Sequence, residues 1–203
     1  MTYRALLAGV LAAFAGAWVF ACAQSGSTGS TPDAGAGTDG ATGQDGATGL
    51  DGPAPPVGGF TLNEISGKGE EWAELFNAGV SAVDISGYKV SEANKDGGAP
   101  KTGGFAFPPN TTIPAGGYIV VMGASEGGIP CVAPAGIPCY QASFLVSNSS
   151  GETIYLLAPD DKIVDRGDYP ANTIASGHGW GRFPNGTGPF QIVNKTPGAA
   201  NKL

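Results

Sequence analysis

Phe60-Thr61-Leu62-Asn63-Glu64-Ile65, Ser66-Gly67-Lys68-Gly69 and Glu71-Trp72-Ala73-Glu74-Leu75-Phe76-Asn77 read in succession as strand, turn and strand. Short runs of apolar and aromatic residues suit a pleated, half-buried ribbon, and a Ser/Gly cluster between them supplies the reversal. Glu64 and Glu74 are then expected to face each other across this first hairpin.

The same rhythm continues along the chain. Six further strands are predicted over 81–90, 117–122, 142–146, 153–157, 163–169 and 180–183, beside the first two over 60–65 and 71–77. Between them lie Pro114-Ala115-Gly116-Gly117, Ser149-Ser150-Gly151, Pro159-Asp160-Asp161 and Pro184-Asn185-Gly186, each a turn signal. No stretch sustains helical periodicity, so the expectation is one all-β antiparallel domain, a sandwich or a barrel. Composition agrees: among 203 residues there are 35 glycines and 16 prolines, and only 13% are charged, which favours turns and strands over long helices. A net charge of −7 with scattered Lys and Arg argues against capture of nucleic acid, and no such partner is expected.

Several of these runs carry a family resemblance. Leu62-Asn63-Glu64-Ile65, Glu71 to Asn77 and Ile85-Ser86-Gly87-Tyr88-Lys89-Val90 resemble the opening of lamin tail domains, which show N-E-I, then E-W-x-E-L-x-N, then a hydrophobic-S-G-aromatic order. Ile113 to Tyr118, Gly151 to Leu156, Gly179-Trp180-Gly181-Arg182 and Thr196 to Asn201 continue the pattern. The resemblance implies an immunoglobulin-like β-sandwich over 60–203 and no shared chemistry. It implies structural roles for Asn63, Glu64, Trp72, Glu74, Asn77, Gly87, Tyr88 and Trp180. Bacterial members are often accessory modules of exported hydrolases or nucleases, and no second, catalytic domain is read here. The sequence departs from the family pattern at 92–107 and 125–140, long Gly/Pro-rich segments where binding residues are expected, since loops on a rigid scaffold usually carry them.

Ahead of the domain, one positive charge in Met1 to Arg4 precedes a nearly unbroken apolar run from Ala5 to Ala23, the profile of a signal peptide over 1–21. Val19-Phe20-Ala21-Cys22 resembles a bacterial lipobox, with Phe20 bulkier than the usual occupant. Cys22 is therefore expected to carry acyl chains, each gaining roughly 0.8 kcal/mol per buried CH₂. The alternative is an uncleaved transmembrane anchor, because the run approaches the roughly 18–20 residues that span a bilayer. Ala23 lacks the aspartate that retains many Gram-negative lipoproteins in the inner membrane, so in a Gram-negative host the outer membrane is expected over the inner.

Residues 22–59 then read as a tether. Gly, Ser, Thr, Ala, Asp and Pro dominate it and cannot bury enough surface to offset their ordering entropy. Gly40, Gly43, Gly46, Gly49 and Gly52 follow a collagen-like triplet period, but five triplets with few imino acids are too few to hold three chains together. Asp33, Asp39, Asp45 and Asp51 lack the compact acidic loop of a calcium site.

Two cysteines remain. Cys131 and Cys139 suit neither a zinc knuckle nor a redox C-x-x-C pair, and in an exported chain a disulfide is expected. Closing so small a loop stabilises by roughly 2.5 kcal/mol on the chain-entropy estimate.

Activated groups are scarce. His178 is the only histidine, near Ser176, Asp165 and Asp168, without a nucleophile elbow. Glu64 and Glu74 resemble a glycosidase carboxylate pair only in their facing placement. Asp160, Asp161, Asp165 and Asp168 lack metal-loop spacing, and no metal or cofactor is expected. Trp72, Phe76, Tyr88, Phe105, Phe107, Tyr118, Trp180 and Phe183 serve a core first and a stacking platform second. The chain is expected to be a monomeric, non-enzymatic envelope lipoprotein that binds protein or polysaccharide. The alternative is an exported hydrolase acting on glycosides, esters or nucleic acid through Glu64/Glu74 or His178.

Overall fold

The computed structural model describes residues 59–95, 98–124, 131 and 133–203. The signal segment, Cys22 and the tether lie outside the described residues, as does the 125–130 part of the second loop. Within them twelve strands form: β1 (Phe60–Ser66), β2 (Trp72–Asn77), β3 (Val83–Asp84), β4 (Lys89–Glu92), β5 (Phe105–Ala106), β6 (Thr112–Ile113), β7 (Tyr118–Met122), β8 (Cys139–Gln141), β9 (Glu152–Leu157), β10 (Ile163–Tyr169), β11 (His178–Arg182) and β12 (Phe190–Asn194). No described residue is helical.

The strands assemble as an immunoglobulin-like β-sandwich. One sheet runs β12-β11-β1-β2-β7-β8, the other β10-β9-β4-β5, and β3 pairs with β6 alongside. Leu62, Ile65, Leu75 and Val121 of the first sheet meet Val90, Ile154, Leu156 and Tyr169 of the second in one buried cluster. Burial of such side chains is worth about 1.5–3 kcal/mol each.

The opening hairpin contains a detail on which the core depends. Leu62 and Ile65 are three residues apart, so on a regular strand they would point to opposite faces. A bulge between Leu62 and Glu64 resets the alternation: Leu62 lies opposite Leu75 and Ile65 opposite Ala73, both facing inward. Such a one-residue insertion kinks a strand and re-aims its side chains. Asn63 and Glu64 are thereby turned together toward the far side of the sheet, opposite Glu74.

Four expectations need correction. The strand predicted over 81–90 is two strands, β3 and β4, because Asp84 Oδ1 accepts hydrogen bonds from Ser86 N (2.8 Å) and Ser86 Oγ (2.5 Å), and Gly87 takes φ +74°. Only glycine adopts that backbone freely, so the chain turns and changes sheets. The strand predicted over 142–146 is absent, since the amides of its second half go to carboxylates: Leu145 N donates to Glu92 Oε2 (2.9 Å) and Val146 N to Glu71 Oε2 (2.8 Å). β8 forms just before it and pairs parallel to β7, so the domain is not purely antiparallel. Finally, Phe190–Asn194 is a strand the sequence reading passed over, and it closes the sheet edge beside β11.

Gly167 on β10 tests the packing between sheets. A Cβ there would lie 2.5 Å from Ile65 Cδ1, 3.0 Å from Phe190 Cζ and 3.2 Å from Leu62 Cδ2. Gly167→Val is expected to destabilise by about 1–3 kcal/mol in urea unfolding, the usual cost of overpacking; an unchanged midpoint would mean that β10 does not rest on β1.

Candidate functional site

Glu64 and Glu74 occupy opposed positions on β1 and β2, and both are fully buried. Neighbouring β11 makes room for them with glycines: a Cβ at Gly179 would stand 2.5 Å from Glu64 Oε1. The C-terminal segment 195–201 covers the pair. Thr196 donates to Glu64 Oε2 from its amide (3.2 Å) and its hydroxyl (3.1 Å), and Gly198 N donates to Glu74 Oε2 (2.6 Å). Asn63 Nδ2 donates to Glu74 Oε1 (2.8 Å). Burial pushes the Glu64 carboxyl up to about 7 and that of Glu74 up to about 8. A carboxylate pair so sealed has no face open to a glycosidic bond, and its geometry is that of a buried junction between strands.

Around it, three asparagines complete the junction. Asn63 Oδ1 accepts from Gly186 N (2.9 Å), and Asn185 Nδ2 donates to the Tyr118 hydroxyl (3.2 Å). Asn201 Nδ2 donates to the carbonyls of Asn63 (3.2 Å) and Arg182 (2.9 Å). Among the described residues no buried side-chain polar atom lacks a partner, as low-dielectric interiors demand. Asn77 similarly fastens the end of β2, donating to Ser81, Ile113 and Pro114 carbonyls. Tyr88 packs edge-on against Phe60 with ring centres 5.1 Å apart.

His178, at the start of β11, has Nδ1 3.3 Å from the Ser176 carbonyl, so Ser176 offers its backbone and not its hydroxyl. Asp165 is committed elsewhere. Its Oδ1 accepts from Arg182 Nη2 (2.8 Å) and its Oδ2 from Thr61 Oγ1 (2.5 Å) and Leu62 N (3.0 Å). Burial raises its carboxyl above the ordinary value while Arg182 and these donors draw it down. Asp160, Asp161 and Asp168 each pair with a base of their own, Lys162, Lys89 and Arg166. Among the described residues no His, Cys, Asp and Glu side chains gather as a metal site.

Cys131 and Cys139 are joined by a disulfide, with Cα atoms 5.8 Å apart. Part of their loop lies against the sheet, while Pro134, Ala135, Gly136 and Pro138 stay exposed. Cys131, Ala133, Ile137 and Cys139 pack on Trp72, Val120 and Met122, roofing the outer face of the larger sheet beside the C-terminal segment. The aromatic residues are likewise dispersed: Trp72 lies under this roof, Phe107 lies in the main core, and Phe76 pairs with Tyr118 at 4.7 Å.

An open recess lies among the described residues. Phe105 and Phe107, from the first variable segment, pack on Tyr140 at the end of the second, with ring centres 5.6 and 5.5 Å apart. Beside them a cleft of about 230 Å³ opens between β4–β5 and the stretch after β8, lined by Glu92, Lys101, Thr102, Phe105, Ser143 and Phe144. Lys101 is ion-paired with Glu92, whose other oxygen holds Leu145 N. Sequence reasoning marked 92–107 as a binding segment but gave no sign of Ser143 and Phe144, because their placement depends on two carboxylates distant in the chain.

A family model, the Lamin Tail Domain, matches residues 53–171, more than half of the chain. A search of curated proteins found no match. The matched region ends before β11, so Arg182, Thr196, Gly198 and Asn201 lie beyond it.

Arg182 links the two regions and predicts a contrast. Arg182→Met leaves Asp165 buried without its cation and is expected to cost about 3–5 kcal/mol. Arg166→Met breaks the exposed pair with Asp168 and is expected to cost under about 1 kcal/mol. Equal losses in urea unfolding would overturn this account of the buried pair.

Proposed function

The chain belongs to the lamin tail domain family, and from that premise we propose that it is a non-catalytic binding and scaffolding module held at the bacterial cell envelope. The family is an immunoglobulin-like, non-catalytic domain type. Acyl chains on Cys22 would fix the chain to a membrane, residues 23–59 would give it reach, and the sandwich would present a site for a protein or polysaccharide ligand.

The cleft beside Lys101 and Ser143 carries this reading. It combines an ion pair, exposed hydroxyls and aromatic side walls in one open recess, the mixture by which small sites fix the orientation of a polar ligand. The charges neutralise each other, so a neutral sugar unit or a peptide side chain suits it better than a polyanion. Glu64 and Glu74, by contrast, are closed to solvent, which weighs against the hydrolase alternative.

Three measurements test the proposal. Ser143→Trp fills the recess, and purified protein carrying it is expected to retain at least tenfold less ligand from native envelope extract than the parent; equal retention would remove the cleft from consideration. Cys22→Ser is expected to move the protein from the membrane to the soluble fraction. Hydrolysis of a glycoside, ester or nucleic acid by the parent, lost in Glu74→Gln or His178→Ala, would establish the hydrolase instead.

A further inference from the structure

Glu64 and Glu74 form an unusual pair: opposed across adjacent strands, wholly buried, and held only by neutral donors. Neither has a salt-bridge partner among the described residues, in contrast to Asp165 with Arg182. Two carboxylates in such surroundings resist carrying two charges, because burial disfavours each charge and each disfavours the other. They therefore titrate as a pair.

We propose that the C-terminal segment 195–201 is a proton-controlled strap, closed over sheet β12-β11-β1-β2-β7-β8 while the Glu64/Glu74 pair holds a proton and lifted when both carboxyls ionise. The strap's attachments are hydrogen bonds to named groups. Thr196 is bound to Glu64, Gly198 to Glu74, and Asn201 to the Asn63 and Arg182 carbonyls and to Asn185 Oδ1. Lys195, at its root, adds its amide to the Gly177 carbonyl (3.1 Å) and its Nζ to that of Lys68. The donors of Thr196 and Gly198 favour charge on the carboxyls, and burial of the pair beneath the strap outweighs them. The strap also rests on the disulfide loop, where a Cβ at Gly198 would lie 2.6 Å from Ile137 Cγ1.

Charged and titratable groups around the pair leave the balance near neutrality. Lys195, at the root of the strap, stabilises charge on Glu64, but its Nζ is bound to the Lys68 carbonyl and also feels Glu70. From β7, Tyr118 faces Glu74 through Asn185. On β11, Gly179 and Gly181 flank the pair, the His178 ring turns to the Ser176 carbonyl, and the Arg182 guanidinium is spent on Asp165. The loop residues Pro134 and Ile137 bring no charge.

The direction follows from linkage. Both carboxyls are raised from the ordinary 4.5, to about 7 and about 8. The closed form keeps protons that a free carboxyl would release, so its advantage is complete below about pH 4.5 and is lost as pH rises through 7 and 8.

Amide hydrogen exchange on the full-length protein, corrected for intrinsic chemistry, reads the strap directly. Protection of Thr196 and Gly198 is expected to fall at least tenfold between pH 6 and pH 9, while core amides such as Val121 and Leu156 keep theirs. Glu74→Gln, and separately Glu64→Gln, should flatten that profile. Unchanged protection of Thr196 and Gly198 in the parent at pH 9 overturns the proposal whether or not the variants fold. A loss shared equally by the core amides overturns it as well, since it would report global unfolding. Neither outcome depends on whether the cleft binds a ligand.

Discussion

β1 is buried along its whole length on both faces, and everything around it answers that condition. Its inward residues are met by the opposite sheet. Its outward polar residues, Asn63 and Glu64, have no water to turn to, and an unsatisfied buried polar group costs about 1–3 kcal/mol. The segment 183–188 and the C-terminal segment supply the missing donors and acceptors. Where β11 stops pairing with β1 near Glu64, Arg182 Nε takes the Leu62 carbonyl (2.9 Å) and Asp165 takes the Leu62 amide, so an ion pair replaces a strand.

Much of this was legible in the residues, and what was missed has a physical pattern. The hairpin 60–77 was legible because both strands and their turn are local. The disulfide was legible because two cysteines at a spacing that suits neither a zinc knuckle nor a C-x-x-C pair leave few alternatives in a chain expected to be exported. The division of 81–90 was not, because Ser86-Gly87 was weighed as a motif and not as a turn, although Asp84-x-Ser86 carries the side-chain chemistry that bends a chain. The 142–146 stretch has the alternation of a strand, yet Glu71 and Glu92 satisfy its amides instead, a long-range substitution that no local pattern announces. The junction was half legible: Glu64 and Glu74 were placed face to face from the sequence, but Thr196, Gly198 and Asn201, which seal them, were visible only as a closing motif without a partner.

This arrangement separates rigid from adaptable parts. The outer face of the larger sheet, which a simple sandwich would leave to solvent, is closed by the disulfide loop and the C-terminal segment. The recess opens elsewhere, between β4–β5 of the smaller sheet and the irregular stretch after β8. Glu92 serves both roles, pairing with Lys101 in the recess and holding Leu145 N behind it, so occupancy of the cleft and the position of the 142–146 stretch are mechanically joined.

The hydrogen bond from Asn201 to the Asn63 carbonyl spans 138 positions, and that span has a consequence for biogenesis. Contacts so distant in the chain are slow to form. Whether the polypeptide emerges from a ribosome or threads a translocation pore, the polar side of its earliest strand stays unfinished until Asn201 has arrived. The buried polar groups of β1 are thereby among the last in this domain to find their partners.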